Sequence, residues 1–229
     1  MIPWLVSGEP FPPTTNASTD PDGLVAIGGD LSTSTLLRAY RKGIFPWFEE
    51  NQPIMWWSPN PRFVLYPDEL KISRSLKKTL KSGKFSVTTN RVFEEVIRKC
   101  GPRRHTTSAT WITEDMCNAY IKLHRIGVAN STEVWLNDEL VGGLYGLSLG
   151  KIFFGESMFS VVRDASKVAL VNLSDRLKED NIKIIDCQVY SDHLASLGAK
   201  QIERRKFEEQ LNLCILDNDV QSIVQHGPC

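Results

Sequence analysis

The chain has 229 residues, 41% of them hydrophobic and 24% charged, with 27 basic and 27 acidic side chains that cancel to a formal net charge of +0. That size and balance suit one large soluble domain, or a domain with a small appendage, and exclude a chain that meets a polyanion through its overall charge. No apolar run approaches the roughly 20 residues of a membrane helix, and Cys100, Cys117, Cys187, Cys214 and Cys229 are odd in number with no CxxC pair. A disulfide framework and a structural zinc site are therefore not expected, and a reducing cytoplasm is.

Residues 1–62 read as a small Pro/Gly/Trp-rich N-terminal domain. Pro21-Asp22-Gly23 is a turn signal. Asp30 or Ser32 caps a helix whose apolar stripe is Leu36, Leu37 and Tyr40 and whose stop is Gly43. The stretches from Gly43 to Phe48 and from Met55 to Arg62 read as aromatic-rich loops. Their rings either fill a small core or stack on a flat ligand.

Residues 63–229 read as the second domain, with a loosely held polar tail from Asp217. Phe63 to Tyr66 reads as a strand, Ser73 to Ser82 as a basic amphipathic helix ending at Gly83, and Phe85 to Thr88 as a strand. Asn90 then caps a helix carrying Phe93, Val96 and Ile97. Arg98, Lys99, Arg103, Arg104 and His105 form a positive cluster, and Thr113 caps a helix that buries Met116, Ala119, Tyr120 and Leu123. The basic clusters either touch phosphates or are simply solvated.

Three strands follow with short turns: Thr132 to Leu136, Leu140 to Leu149, and Ile152 to Glu156. They read as an antiparallel meander. Gly142-Gly143 signals a bulge or a close backbone approach. A helix from Asp164 to about Lys178 comes next, then a strand from Lys183 to Tyr190, a loop from His193 to Gly198, and a last helix from Phe207 to Leu213. The class is α+β: a mixed sheet with flanking helices, in an order that matches the GCN5-related N-acetyltransferase type.

Two places carry chemistry. Gly155-Glu156-Ser157-Met158-Phe159-Ser160 sets one carboxylate among small and apolar residues where a strand is expected to give way to a helix. On the strand Ile184-Ile185-Asp186-Cys187-Gln188-Val189-Tyr190, alternation puts Ile185, Cys187 and Val189 on an apolar face and Asp186, Gln188 and Tyr190 on the other. That polar face is either a solvent edge or the floor of a cleft that holds or deprotonates an amine. The four histidines show no HxH or HxxxH spacing, so no metal site is expected. An acetyl-coenzyme A enzyme carries a glycine-rich pyrophosphate loop after the last meander strand. The nearest match, His124-Arg125-Ile126-Gly127-Val128-Ala129, precedes the meander and starts with the wrong residue. The fold order therefore suits acyl transfer from a different donor.

An ordered set of motifs resembles the bacterial leucyl/phenylalanyl-tRNA–protein transferases. It comprises the stretches from Asp22 to Leu31 and from Ala39 to Phe48, Trp56-Trp57-Ser58-Pro59, Thr110-Trp111-Ile112-Thr113, the stretches from Val141 to Gly146 and from Gly155 to Ser160, Ala165-Ser166-Lys167, Asp186-Cys187-Gln188, and His193 to Ala199. The resemblance implies a small N-terminal domain joined to an acetyltransferase-like domain. It implies transfer of Leu or Phe from aminoacyl-tRNA to the N-terminal Arg or Lys of a protein, marking that protein for degradation, with no metal or organic cofactor. It places Asp186 and Gln188 at the amine, with Asp186 either a base or an electrostatic anchor, and Glu156 beside the ester. The amino-acid pocket would draw on Leu144, Phe153, Met158, Leu173 and Ile185, and Trp47 and Trp111 would flank the terminal adenosine. Leu at 144 and 173 departs from the Met and aromatic residue expected there. No long apolar stripe is left over, so a monomer is expected.

Overall fold

The computed structural model describes residues 1–101 and 112–216. Its strands form two sheets. The smaller is built from β1 (Trp4–Leu5), β2 (Leu24–Gly28), β3 (Phe45–Pro46) and β4 (Met55–Trp57), in the order β1-β2-β4-β3. β3 and β4 occupy what reads in the sequence as aromatic loops. Each is two or three residues long, too short for an alternation signal, and each exists only by pairing with its neighbour. α1 (Thr33–Arg41) starts at Ser32, whose side chain accepts the Thr35 N–H, and stops where Gly43 takes φ +70°.

The larger sheet has seven strands: β5 (Arg62–Leu65), β6 (Ser86–Thr89), β7 (Ala129–Leu136), β8 (Glu139–Leu149), β9 (Ile152–Ser160), β10 (Ile184–Gln188) and β11 (Lys200–Ile202). Their order is β11-β5-β10-β9-β8-β7-β6. β7, β8 and β9 are the antiparallel meander, β10 runs parallel to β9, and β5 and β11 close one edge antiparallel. β11 gave no sequence signal, being an edge strand of three exposed or half-buried residues. The helices are α2 (Arg74–Lys81), α3 (Phe93–Cys100), α4 (Glu114–Arg125), α5 (Ala165–Glu179), α6 (Asp192–Ser196) and α7 (Arg204–Cys214). The α+β class with a mixed sheet between helices is as the sequence suggested.

Ser73 and Thr113 cap α2 and α4 as their positions suggest. Asn90 does not cap α3: its Oδ1 accepts the Ser131 N–H at 2.8 Å and ties β6 to β7 instead. The Gly155–Ser160 stretch is not a strand-to-helix join either. β9 continues through it to Ser160, paired with Gly142 of β8, so Glu156 lies within the sheet.

Two apolar clusters flank the large sheet. One packs α1, α3, α4, α7 and the small sheet against it, running from Leu5 to Ile215; the other seats α5 and α2 on the opposite face. α5 approaches β8 closely because position 142 lacks a side chain. A Cβ at Gly142 would come within 2.5 Å of the Ala165 Cβ. The glycine pair thus marks a close approach and lies at a bulge: Val134 pairs with Gly142 and Trp135 with Leu140, so the β7–β8 ladder shifts beside it, and the β8–β9 ladder shifts again at Tyr145/Gly146.

Candidate active site

A cavity of about 300 Å³ opens between β8, β9, β10 and α5, with β3 and the residue after it at its mouth. Leu144 (β8), Phe153 and Met158 (β9), Leu173 (α5) and Ile185 (β10), the five apolar residues expected in the pocket, all line it. Trp47 stands at the cavity, 43% exposed, tilted on Trp57 at 5.9 Å and held in place by the Trp57 Nε1–H bond to its carbonyl. Trp56 is different: fully buried, with its indole N–H given to the Gly28 carbonyl, it is core. Trp111 lies outside the described residues, as do Arg103, Arg104 and His105.

Glu156 and Gln188 lie in the lining, whose other polar residues are Tyr145, Ser157, Ser191 and His193. The Glu156 carboxyl, in a residue only 8% exposed, is hydrogen-bonded to Tyr40 Oη (2.8 Å from Oε1) and Tyr120 Oη (3.0 Å from Oε2), and its Oε1 accepts from Gln188 Nε2 at 2.9 Å. Tyr40 and Tyr120 also hydrogen-bond each other. They come from α1 and α4, whose apolar stripes carry the phenols under the sheet. Burial pushes the Glu156 carboxyl up to about 7, against the pull of the Tyr40 and Tyr120 donors, with Asp186 adding to the rise. Burial, then the nearby Glu156, raises both phenols well above their usual value.

Asp186 does not line the cavity. Its carboxylate is wholly buried and clamped by the wholly buried Arg62, Nε to Oδ1 at 2.8 Å and Nη2 to Oδ2 at 2.6 Å. The Arg62 guanidinium lies between the rings of Phe45 and Phe207, 4.8 and 4.7 Å from their centroids. Oδ1 of Asp186 also accepts the Gln188 N–H at 3.0 Å. That bond accompanies a left-handed backbone at Gln188, φ +63°, and a shift in the β5–β10 ladder. The shift ends the alternation expected to Tyr190. Val189 and Tyr190 fall outside the strand, 41% and 57% exposed, so Val189 is not on a buried face. Cys187 lines the cavity half-buried, not sealed in the core, and burial raises its thiol far above the usual value. Lys167 sits 3.7 Å from the Asp164 carboxylate.

The family model described as leucyl/phenylalanyl-tRNA protein transferase matches residues 64–212, and the model of that family's N-terminal domain matches residues 29–60. The chain belongs to the leucyl/phenylalanyl-tRNA protein transferase family. Relatives of that name include one from Nitrosospira multiformis, 52% identical over 92% of this chain and 91% of its own length. Another, from Chromobacterium violaceum, is 51% identical over 90% of this chain and 89% of its own. Among solved structures, the L-PGS of Bacillus licheniformis overlaps 79% of this chain and 62% of its own at 11% identity and a TM-score of 0.42. A ribosomal-protein-alanine N-acetyltransferase from Brucella melitensis overlaps 55% and 89% at 13% identity and 0.35. The family assignment rests on the sequence matches alone.

Within this family member, sequence reading missed Arg62, Tyr40 and Tyr120 as parts of the site. The tyrosines passed as apolar residues on helix faces. Their signal was present, since a buried phenol seeks a polar partner and Glu156 was the carboxylate left without one. Among the described residues no cluster of three or more His, Cys, Asp or Glu is placed to hold a metal, and no helix is long and apolar enough to cross a membrane.

Proposed function

We propose that this chain transfers Leu or Phe from aminoacyl-tRNA to the N-terminal Arg or Lys of acceptor proteins, forming a peptide bond that marks them for degradation. The observation that carries the reading is an apolar cavity of about 300 Å³ with a carboxyl and a carboxamide in its wall, in a member of this family. An apolar side chain such as Leu or Phe fits that lining, and the polar pair faces the atoms that react.

The aminoacyl ester is already activated. An α-amine with pKa near 8 is about a tenth neutral at pH 7, so the site's task is to hold that amine against the ester. Proximity and orientation supply roughly 7–11 kcal/mol in the best intramolecular cases. The amine nitrogen bonds to the carbonyl carbon, the bond to the ribose oxygen breaks, and the proton lost by nitrogen balances the one gained by that oxygen. Gln188 donates Nε2–H to Glu156, which turns its own carbonyl oxygen toward an incoming N–H. Asp186 acts as the anchor in this reading, because both its oxygens are engaged by Arg62 and one also takes the Gln188 N–H. Trp47 at the cavity mouth offers a face for the terminal adenosine, a stack worth about 1–3 kcal/mol, and the family resemblance assigns Trp111 to the same adenosine. The protein works as a cytoplasmic monomer, with residues 1–62 as a small domain on the catalytic one, and uses no metal or organic cofactor.

The test is incubation with radiolabelled Leu-tRNA and a protein that begins with Arg. Label entering the protein only while the tRNA is intact supports the reading. Label that enters after RNase treatment, or acyl transfer from acetyl-coenzyme A without RNA, overturns it.

A further inference from the structure

Four oxygens meet beneath the cavity: the phenol oxygens of Tyr40 and Tyr120 and the two carboxyl oxygens of Glu156. They make a closed ring of contacts. Tyr40 Oη lies 2.8 Å from Oε1, Tyr120 Oη lies 3.0 Å from Oε2, and the two phenols hydrogen-bond each other. A hydrogen bond between two oxygens needs one proton. The ring has three such contacts, and the two phenols bring two protons. With Glu156 ionised, one contact brings oxygen lone pairs face to face among two wholly buried phenols and a carboxyl only 8% exposed, where an unmade hydrogen bond is costly. A third proton closes the ring. Tyr40 then donates to Oε1, Oε2–H donates to Tyr120, and Tyr120 donates to Tyr40. Gln188 Nε2–H donates to Oε1 in either state, so it does not alter the count.

We propose that Glu156 rests as the neutral acid, its proton completing a three-membered hydrogen-bond ring with Tyr40 and Tyr120 that fixes the side chain of Gln188. Tyr40 and Tyr120 are thereby positioning residues. The surrounding charges agree. Asp186 on β10 is the nearest other carboxylate and opposes a second negative charge, while Arg62 on β5 is already committed to Asp186. From β8, Tyr145 faces the ring, with its buried hydroxyl unpartnered among the described residues and Cys100 and Cys117 beyond it. Among the described residues no Lys, Arg or His side chain is bonded to Glu156. Burial accordingly raises the carboxyl to about 7. A carboxylic acid in a buried, largely apolar site holds its proton to higher pH than a solvated one.

The catalytic consequence rests on the aminoacyl-transfer reading; the protonation state does not. A carboxylate beside the ester would repel the negative charge that grows on the carbonyl oxygen as the amine attacks. The neutral acid does not, and it still accepts the Gln188 Nε2–H that orients the amide.

The experiment is infrared difference spectroscopy of the free protein, without RNA or acceptor, titrated from about pH 5 to about pH 9. A carbonyl band of a protonated carboxylic acid is expected at the acid end, absent from Glu156→Gln, and lost as pH rises through about 7. In Tyr120→Phe the acid O–H loses its acceptor and the band moves to higher frequency. In Tyr40→Phe the carbonyl loses a donor and the band moves likewise. These two variants assign the band even if Glu156→Gln does not fold. Absence of an acid band at pH 5, or a band that neither phenylalanine variant shifts, overturns the proposal. Because no substrate is present, that outcome is separate from any failure of the transfer assay.

Discussion

Replacing Arg62 by Met tests whether the site stands on a buried ion pair. The guanidinium and the Asp186 carboxylate are both wholly inaccessible and joined by two short hydrogen bonds. The methionine side chain would keep much of the apolar stem between Phe45 and Phe207 but leave a carboxylate with no counter-charge in a dry core. Removing one partner of such a pair costs about 3–5 kcal/mol, about a fifth or more of the stability of an ordinary domain of about 5–15 kcal/mol. The double variant Arg62→Met/Asp186→Leu removes both charges and recovers most of that loss. The remainder, about 1–3 kcal/mol, belongs to the Gln188 N–H, which then has no acceptor. Urea unfolding followed by tryptophan fluorescence measures the wild type, the two single variants Arg62→Met and Asp186→Leu, and the double variant, since the chain has six Trp residues, Trp56 among them in the core. The folded double variant should still transfer poorly, because the left-handed turn at Gln188 has lost its tether. The reasoning fails if Arg62→Met costs less than about 1 kcal/mol, or if the two substitutions are additive.

Other outcomes follow from the same geometry. Glu156 titrates near 7 in the fold against a usual 4.5, so between those values the folded protein holds a proton that the unfolded chain has lost. Stability therefore falls as pH rises across that window, by about 3 kcal/mol at about 1.36 kcal/mol per unit, and levels off above it. Glu156→Gln removes that fall, which urea midpoints at both ends of the window would show; equal slopes in variant and wild type would contradict it. Gly146→Ala should unfold the β8–β9 join, costing on the order of 3 kcal/mol in thermal melts. Its Cβ would lie 2.1 Å from the Phe154 carbonyl oxygen and 2.6 Å from the Phe153 ring. Leu144→Phe fills part of the pocket, and kcat/KM for Phe-tRNA should drop at least about tenfold more than for Leu-tRNA; an unchanged ratio would remove Leu144 from the side-chain pocket.

Much of the architecture was legible because its signals are local. Ser32, Ser73 and Thr113 announce helix starts, Gly43 and Gly127 announce stops, and the meander shows in the short turns between its strands. β3, β4 and β11 were not legible, since two or three residues carry no period and become strands only through a neighbour from elsewhere in the chain. The site divides the same way. Apolar residues on consecutive strands and a helix pointed to a common cavity. The partners of its polar groups could not be read, because Tyr40 meets Glu156 across 116 positions and Arg62 meets Asp186 across 124. Periodicity says which face is buried and is silent on what it is buried against. Gln188 shows the limit most sharply: its left-handed backbone turns the chain out of alternation, and nothing in Gln itself announces that conformation.

The sandwich of the Arg62 guanidinium between Phe45 and Phe207 has a consequence for synthesis. Phe207 belongs to α7, the last helix among the described residues, and reaches the guanidinium only when that helix has docked. Until then water reaches one side of the ion pair, which is worth little when solvated, and Gln188 lacks a firm tether. A chain still leaving the ribosome would have its pocket strands in hand yet no finished centre. The centre thus waits for Phe207, which is made after every strand that lines the pocket.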